Sequence, residues 1–192
     1  MLNVTFIVVE FFCASIASLI VTTICFWTAL RKKFIPLYLF GVFFLSLSLA
    51  SLFEAFADLY LNISIRFLSG LCYGSSPLLF VLFLNYVRKE SIISIHLSVW
   101  SAISAVFLFL EFQPANHSIL SWQGVLSLSR APLLSVFLNS VIIILLFYYL
   151  YWSILTLVKA PKNLKKHAWL LVITFPTALA VFSITALFIY QA

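Results

Sequence analysis

Two acidic residues lie one helical turn apart inside the apolar stretch SLFEAFADLY, which covers residues 51–60. Glu54 and Asp58 are two of only five acidic residues in a chain of 192. Residues four apart share a helix face, and an ionisable group in hydrocarbon is costly unless it faces a partner, a cavity or the interior of a helix bundle. We therefore expect Glu54 to face inward, whereas Asp58, about 3 Å below the helix end at 1.5 Å per residue, can reach water.

Three further residues extend this pair into a candidate polar pocket. Glu10 lies at a similar depth in the first apolar stretch, and if the first two helices are antiparallel neighbours it comes close to Glu54. Neighbouring carboxylates can share a proton, and Arg66 is the nearest candidate counter-ion. One interpretation is an outward-facing pocket formed by these four side chains, with His117 of a later loop as a candidate pH sensor. The alternative is a set of separately satisfied hydrogen bonds between helices, with His117 as a solvated loop residue.

The composition indicates which solvent surrounds these residues. The chain is 65% hydrophobic and 8% charged, and its mean hydropathy is +1.19. A soluble domain is roughly 45–50% apolar, and no folded core of this length could hide so much apolar surface. The predicted solvent is therefore the lipid bilayer.

The apolar stretches predict an all-α polytopic integral membrane protein, a single transmembrane helical bundle domain over residues 1–192. A membrane-spanning helix needs about 20 apolar residues. Six such helices are predicted, over about 4–30, 36–60, 67–87, 92–111, 132–158 and 167–190, with a loop over 112–131. The first stretch lacks a basic start and is long for a signal peptide, so it is interpreted as a mature helix.

Basic residues predict the orientation of these helices. Nine of the eleven Lys and Arg lie in the turns 31–33, 88–90 and 159–166, and short cytoplasmic loops collect such residues. These turns are therefore assigned to the cytoplasm of a cell-membrane protein whose N- and C-termini are external. The net charge of +6 follows from this topology and from anionic inner-leaflet lipid, so no nucleic-acid partner is expected.

Known catalytic patterns are missing from the sequence. A rhomboid-type protease would need GxSG where the chain has Gly74-Ser75-Ser76-Pro77, and an aspartyl intramembrane protease would need two Asp where the chain has one. No HExxH, paired-cysteine metal pattern or glycine-rich phosphate loop occurs. We expect no enzymatic activity, no cofactor and no metal.

The third predicted helix contains a second unusual pattern, Gly70-x-x-x-Gly74 followed by Pro77. Two glycines at this spacing allow close approach of helix backbones, and an internal proline bends a helix. The favoured interpretation is tight packing with a kink. The alternative is a transporter gate, which usually places broken helices at corresponding positions of two repeats; Pro176 in the sixth predicted helix is a weak counterpart.

Three segments carry a resemblance to a known family: Leu84-Asn85-Tyr86-Val87-Arg88, Asn116-His117-Ser118-Ile119-Leu120-Ser121-Trp122, and a basic start with a central proline over 165–176. Over residues 36–180 the chain resembles the membrane-embedded sensor region at the N-terminus of certain bacterial and archaeal histidine kinases. The resemblance implies seven helices and a cytoplasmic C-terminus leading to a kinase or other output domain. This chain ends after the sixth predicted helix, so the resemblance implies a stand-alone or truncated sensor that acts through another membrane protein.

Together these patterns favour a small polytopic membrane protein that acts as a receptor-like sensor or interaction module through a partner. The expected partners are another membrane protein or further copies of this chain, with a small-molecule ligand from the external side as an additional candidate. The alternative is a small transporter or channel subunit, which needs Glu10 and Glu54 on a continuous water path. A lipid-modifying enzyme would need a catalytic group at the interface, and the sequence supplies few.

Overall fold

The computed structural model describes residues 6–33, 35–88, 95–122 and 125–159. These residues form long α-helices and one β-hairpin. The helices are α1 (Phe6–Lys32), α2 (Ile35–Tyr60), α3 (Ile63–Arg88), α4 (Ile95–Glu111) and α5 (Pro132–Lys159). The hairpin consists of β1 (His117–Trp122) and β2 (Val125–Arg130), and a single 3-10 turn, Pro114–Asn116, leads into it.

The predicted helical class and the apolar character of the helices are confirmed for this part of the chain. Helices α1, α2 and α3 are each long and apolar enough to cross a membrane. Helix α4 has 17 residues and is shorter than a typical span of about 20. The sixth predicted helix, 167–190, and Pro176 lie outside the described residues.

Consecutive helices pack against each other in the order α1, α2, α3, α4. The turn between α2 and α3 is very short: Leu61 has a φ of 50°, and the Asn62 side chain caps α3 by accepting a hydrogen bond of 2.9 Å from the Ser64 N–H. A side-chain oxygen at this position satisfies a helix N–H that has no intrahelical partner. The turn therefore brings the last residues of α2 beside the first residues of α3.

Serine hydroxyls join α1 to α2 within their apolar surfaces. Ser15 Oγ donates to the Ser48 carbonyl at 2.9 Å, and Ser48 Oγ donates to the Ser15 carbonyl at 2.9 Å. Small polar residues let helices approach closely and bond across the interface in lipid. The reciprocal pair thus sets the register of α1 on α2.

Both glycines of the predicted packing pattern lie where α3 meets α4. A Cβ on Gly74 would lie 2.9 Å from Leu108 Cδ2, and one on Gly70 would overlap the side chain of Glu111. Helix α3 continues through Pro77 to Arg88. Ser75 Oγ and Ser76 Oγ in the turn before the proline both donate to the Cys72 carbonyl, at 2.9 Å and 2.8 Å.

The segment predicted as a loop over 112–131 contains the β-hairpin. Its strands are antiparallel, with His117 opposite Arg130 and Ile119 opposite Leu128. A hairpin forms here because apolar and polar residues alternate along Val125–Arg130, a pattern that suits a strand with two different faces. The chain divides into two compact units after Ser135, and the whole hairpin belongs to the first unit.

Candidate functional site

Five charged side chains meet where the hairpin packs against the helices, and we call this group the charge cluster. Four come from helices and one from the hairpin. Four of them are buried and Arg130 is nearly so, with a side chain that is 9% exposed, whereas the side chains of Glu54 and Glu111 are only 3% and 0% exposed. The members are Glu54 and Asp58 of α2, Arg66 of α3, Glu111 of α4 and Arg130 of β2.

Arg130 lies between the carboxylates of two helices. Its Nη1 is 2.6 Å from Glu54 Oε1. Its Nε and Nη2 donate to the two carboxylate oxygens of Glu111, each at 2.9 Å. This bidentate fork is the strongest arrangement of an arginine and a carboxylate. Burial by itself would lower the pKa of Arg130, but the Glu54 and Glu111 carboxylates outweigh burial and raise that pKa, so the guanidinium stays charged.

Arg66 and Asp58 together hold one residue of the hairpin through its backbone. Arg66 Nη1 is 3.1 Å from Glu54 Oε1, and Arg66 Nη2 is 2.7 Å from Asp58 Oδ1. The same Nη2 donates to the Leu128 carbonyl at 2.7 Å, while the Leu128 N–H donates to Asp58 Oδ1 at 3.2 Å. Both backbone polar groups of Leu128 are thus bonded to the ends of α2 and α3.

Gly70 leaves the space that the Glu111 side chain occupies. A Cβ at position 70 would overlap Glu111 Cγ and come within 2.9 Å of its carboxyl carbon. The glycine of the packing pattern therefore has a second role, because it lets a carboxylate of α4 pass over α3 and reach Arg130.

His117 lies beside the charge cluster and is 8% exposed. Its Nε2 is 2.7 Å from the backbone carbonyl of Glu111, to which it donates. The imidazole packs edge-on against the Phe67 ring, with 5.4 Å between ring centroids, and the residue is opposite Arg130 in the hairpin. The interpretation of His117 as a solvated loop residue is therefore wrong.

The structure brings together three of the four residues of the predicted pocket. Glu54 faces inward, as expected, and is joined to Asp58 through Arg66. Asp58 is only 4% exposed, so the expected access of this side chain to water is not found. Glu10 lies half-buried on α1. In the described part of the chain, the ion pairs of the two arginines include Glu54, Asp58 and Glu111.

The sequence interpretation missed Glu111 and Arg130 as partners. A signal was available, because Arg66 and Arg130 are the only Lys or Arg residues outside the three basic turns. Two such exceptions within a chain of so few acids indicate ion pairing. The particular pairs could not be derived, since they depend on where the hairpin packs.

The charge cluster contains more negative than positive charge. Three carboxylates face two guanidinium groups. In addition, Arg66 Nε is buried and has no hydrogen-bond partner among the described residues, while the buried Ser69 hydroxyl lies close enough to Glu54 to act as a donor to it. Within those residues, no group of His, Cys, Asp and Glu has an arrangement that could hold a metal ion.

Comparisons with known proteins give no family assignment: no protein family, curated protein or solved structure matches this chain. The resemblance to histidine-kinase sensor regions therefore stays a hypothesis. The contacts of the charge cluster and the hairpin are the basis on which a function can be inferred.

Proposed function

We propose that this protein is a six-helix receptor-like or interaction module of the cell membrane that acts through a partner protein. The proposal places the charge cluster and the hairpin on the external side, because nine of the eleven Lys and Arg lie in the three turns assigned to the cytoplasm. The partner is another membrane protein or a second copy of this chain.

The observation that carries the proposal is the way in which the hairpin is attached. Arg130 bonds to Glu54 of α2 and to Glu111 of α4, and Leu128 bonds to Arg66 of α3 and to Asp58 of α2. One small external element is therefore tied to three helices. Anything that binds the hairpin also acts on the packing of those helices.

Displacement of the hairpin has a large energetic consequence. Without Arg130, the Glu111 carboxylate loses its counter-ion and Glu54 loses one of two. Removing one partner of a buried ion pair costs about 3–5 kcal/mol where the other partner stays buried, so release of the hairpin must also open these carboxylates to water. Docked and released hairpins are consequently two distinct states, and a switch needs such a pair of states.

The transporter or channel alternative has less support from the same contacts. It requires carboxylates that line a path for water and ions. In the described part of the chain, Glu54 and Glu111 instead contact guanidinium groups at 2.6 and 2.9 Å. These contacts favour the interaction module.

Native mass spectrometry tests the proposal directly. The tagged chain is extracted from its native membrane in a mild detergent, and the intact particle is weighed. We expect a mass that contains a second polypeptide, either another protein or a further copy of this chain. A bare monomer, together with ion flux in proteoliposomes that Glu54→Gln abolishes, would contradict the proposal and support the transporter.

A pair of variants shows whether the hairpin takes part in binding the partner. Arg130→Lys keeps the positive charge but cannot form the two-sided fork, so the hairpin should be held less firmly. The amount of partner that copurifies with this variant should therefore differ from that of the wild type. Arg31→Gln removes an exposed arginine at the far end of α1 and serves as the matched control. Equal amounts of partner in both variants would exclude the hairpin from the partner contact.

A further inference from the structure

We infer that the charge cluster binds one proton, carried by Asp58, and that this proton is the external ligand which controls docking of the hairpin. The inference deepens the proposed function and rests on it for the external position of the hairpin. It names the ligand of the module as a proton, so the module responds to external pH.

The charges that meet in the cluster require one more positive charge. Helix α2 contributes Glu54 and Asp58, α3 contributes Arg66, α4 contributes Glu111, and the hairpin contributes Arg130. The sum is one negative charge when every carboxyl is ionised. An unneutralised charge is very costly in a buried, lipid-surrounded position, and a proton on one carboxyl removes it.

Other titratable groups border the cluster. Tyr73 of α3 lies near Glu54, His117 of the hairpin bonds to the Glu111 backbone, and α1, which packs on α2, carries the half-buried Glu10. None of these adds a fixed positive charge.

Asp58 is the carboxyl whose contacts compensate its charge least. Glu54 forms ion pairs with both arginines, and Glu111 accepts through both of its oxygens. Asp58 is bonded through Oδ1 alone, to one nitrogen of Arg66 and to the Leu128 N–H. Its Oδ2 makes no hydrogen bond to the described residues and can hold the proton while Oδ1 keeps both bonds.

His117 is the other group that could supply the positive charge, but its surroundings disfavour this. Its Nε2 already donates to the Glu111 carbonyl. Its Nδ1 is buried and has no partner among the described residues, so a proton there would create a buried N–H without an acceptor, next to the cationic Arg130 across the hairpin.

Two features indicate how the proton enters. Asp58 lies two residues before the end of α2 at Tyr60. The buried Arg66 Nε has no protein partner among the described residues, and buried polar groups of this kind are usually satisfied by water. Water beside Arg66 would link Asp58 to the external solution.

The proton is coupled to the hairpin through Leu128, which contacts Asp58 directly. The folded cluster holds a proton that the unfolded chain releases, because an aspartate in water is ionised above about pH 4. Release of the hairpin removes the Leu128 N–H from Asp58 and opens this end of α2 to water, where the carboxyl ionises as it does in the unfolded chain. The docked state therefore binds more protons than the released state, and its stability must fall as pH rises through the range in which the proton is lost. Acid closes the hairpin onto the helices, and alkali releases it.

Infrared difference spectroscopy of the full chain in detergent tests for the proton. Raising the pH from about 5, where an aspartate in water is already ionised, to about 8 should remove a carboxylic-acid C=O band that shifts in heavy water. Asp58→Asn, which balances the charges of the cluster, should lack this band and still fold. His117→Gln, which can still donate to the Glu111 carbonyl, should retain it. A wild-type protein without the band, an unchanged band in Asp58→Asn, or its loss in His117→Gln would overturn the inference.

Amide hydrogen exchange of the hairpin tests the coupling. After correction for the intrinsic exchange rate, the opening constant of residues 117–130 should rise by up to about tenfold per pH unit in the wild type and stay constant in Asp58→Asn. A pH-independent opening constant in the wild type would overturn the coupling. The absence of a partner in native mass spectrometry would instead contradict the proposed function and leave both spectroscopic results in place.

Discussion

Arg130 of the hairpin and Glu54 of α2 are 76 residues apart in the sequence, and their charged groups meet at 2.6 Å. The same guanidinium bonds to Glu111 of α4 at 2.9 Å. Because a charge buried without a partner is far more costly than a buried pair, this relationship makes the hairpin part of the folded helical unit.

Removal of the Arg130 charge should destabilise the protein strongly. Arg130→Gln leaves Glu111 without a counter-ion, and we expect a loss of about 3–5 kcal/mol in the free energy of unfolding. The measurement is denaturant unfolding in a single mild detergent. Arg31→Gln is the control: its guanidinium packs 4.3 Å from the Trp27 ring at an exposed position, a contact worth about 0.5–1 kcal/mol. Equal losses in the two variants would show that the cluster does not stabilise the fold.

Replacement of Gly70 should act through Glu111. In Gly70→Ala the new Cβ overlaps the Glu111 side chain, and such overpacking costs about 1–3 kcal/mol. In the Glu111→Ala background the overlap disappears, so the same glycine substitution should cost much less. The difference between the two costs, measured by unfolding in a double-mutant cycle, is the coupling between these positions. An equal cost in both backgrounds would show that Gly70→Ala destabilises the protein through contacts other than that with Glu111.

A large side chain at Gly74 should disturb the packing of α3 on α4. A Cβ there already lies 2.9 Å from Leu108 and 3.3 Å from Phe107, so Gly74→Leu must push the helices apart. Leu79→Val on the same helix removes one methylene at a partly exposed position and should have a small effect. Thermal stability of the two variants is compared in one detergent, and equal melting temperatures would refute the close-packing interpretation.

The reciprocal serine pair should contribute measurably to the association of α1 and α2. Ser15→Ala and Ser48→Ala each remove one of two interhelical hydrogen bonds of 2.9 Å. In membrane proteins the coupling energy of such pairs averages about 0.6 kcal/mol and reaches about 1.7 kcal/mol. The two hydroxyls are also 3.1 Å apart, so a double-mutant cycle on the unfolding free energy, which reports this contact between the side chains, should give a value in this range. Ser140→Ala is the control, since the exposed Ser140 Oγ donates to the Val136 carbonyl of its own helix.

The helical elements could be predicted because their signal is local. Long apolar stretches predicted the helices, and α2 begins and ends within one residue of its predicted limits. The hairpin also had a local signal, the alternation of Ser and Leu over 126–129. It was missed because a connection between apolar helices was interpreted as a loop.

By itself the sequence determined that the protein is apolar and helical, and that Glu54 must have a compensating partner. These conclusions follow from composition and from the cost of a charge in hydrocarbon, which need no knowledge of the fold. Only the tertiary structure decided which partners compensate it. The contacts of Arg130 with Glu54 and Glu111, and of Leu128 with Asp58 and Arg66, arise where a hairpin packs on three helices. Contacts between residues so distant in sequence depend on packing, and no local pattern encodes them.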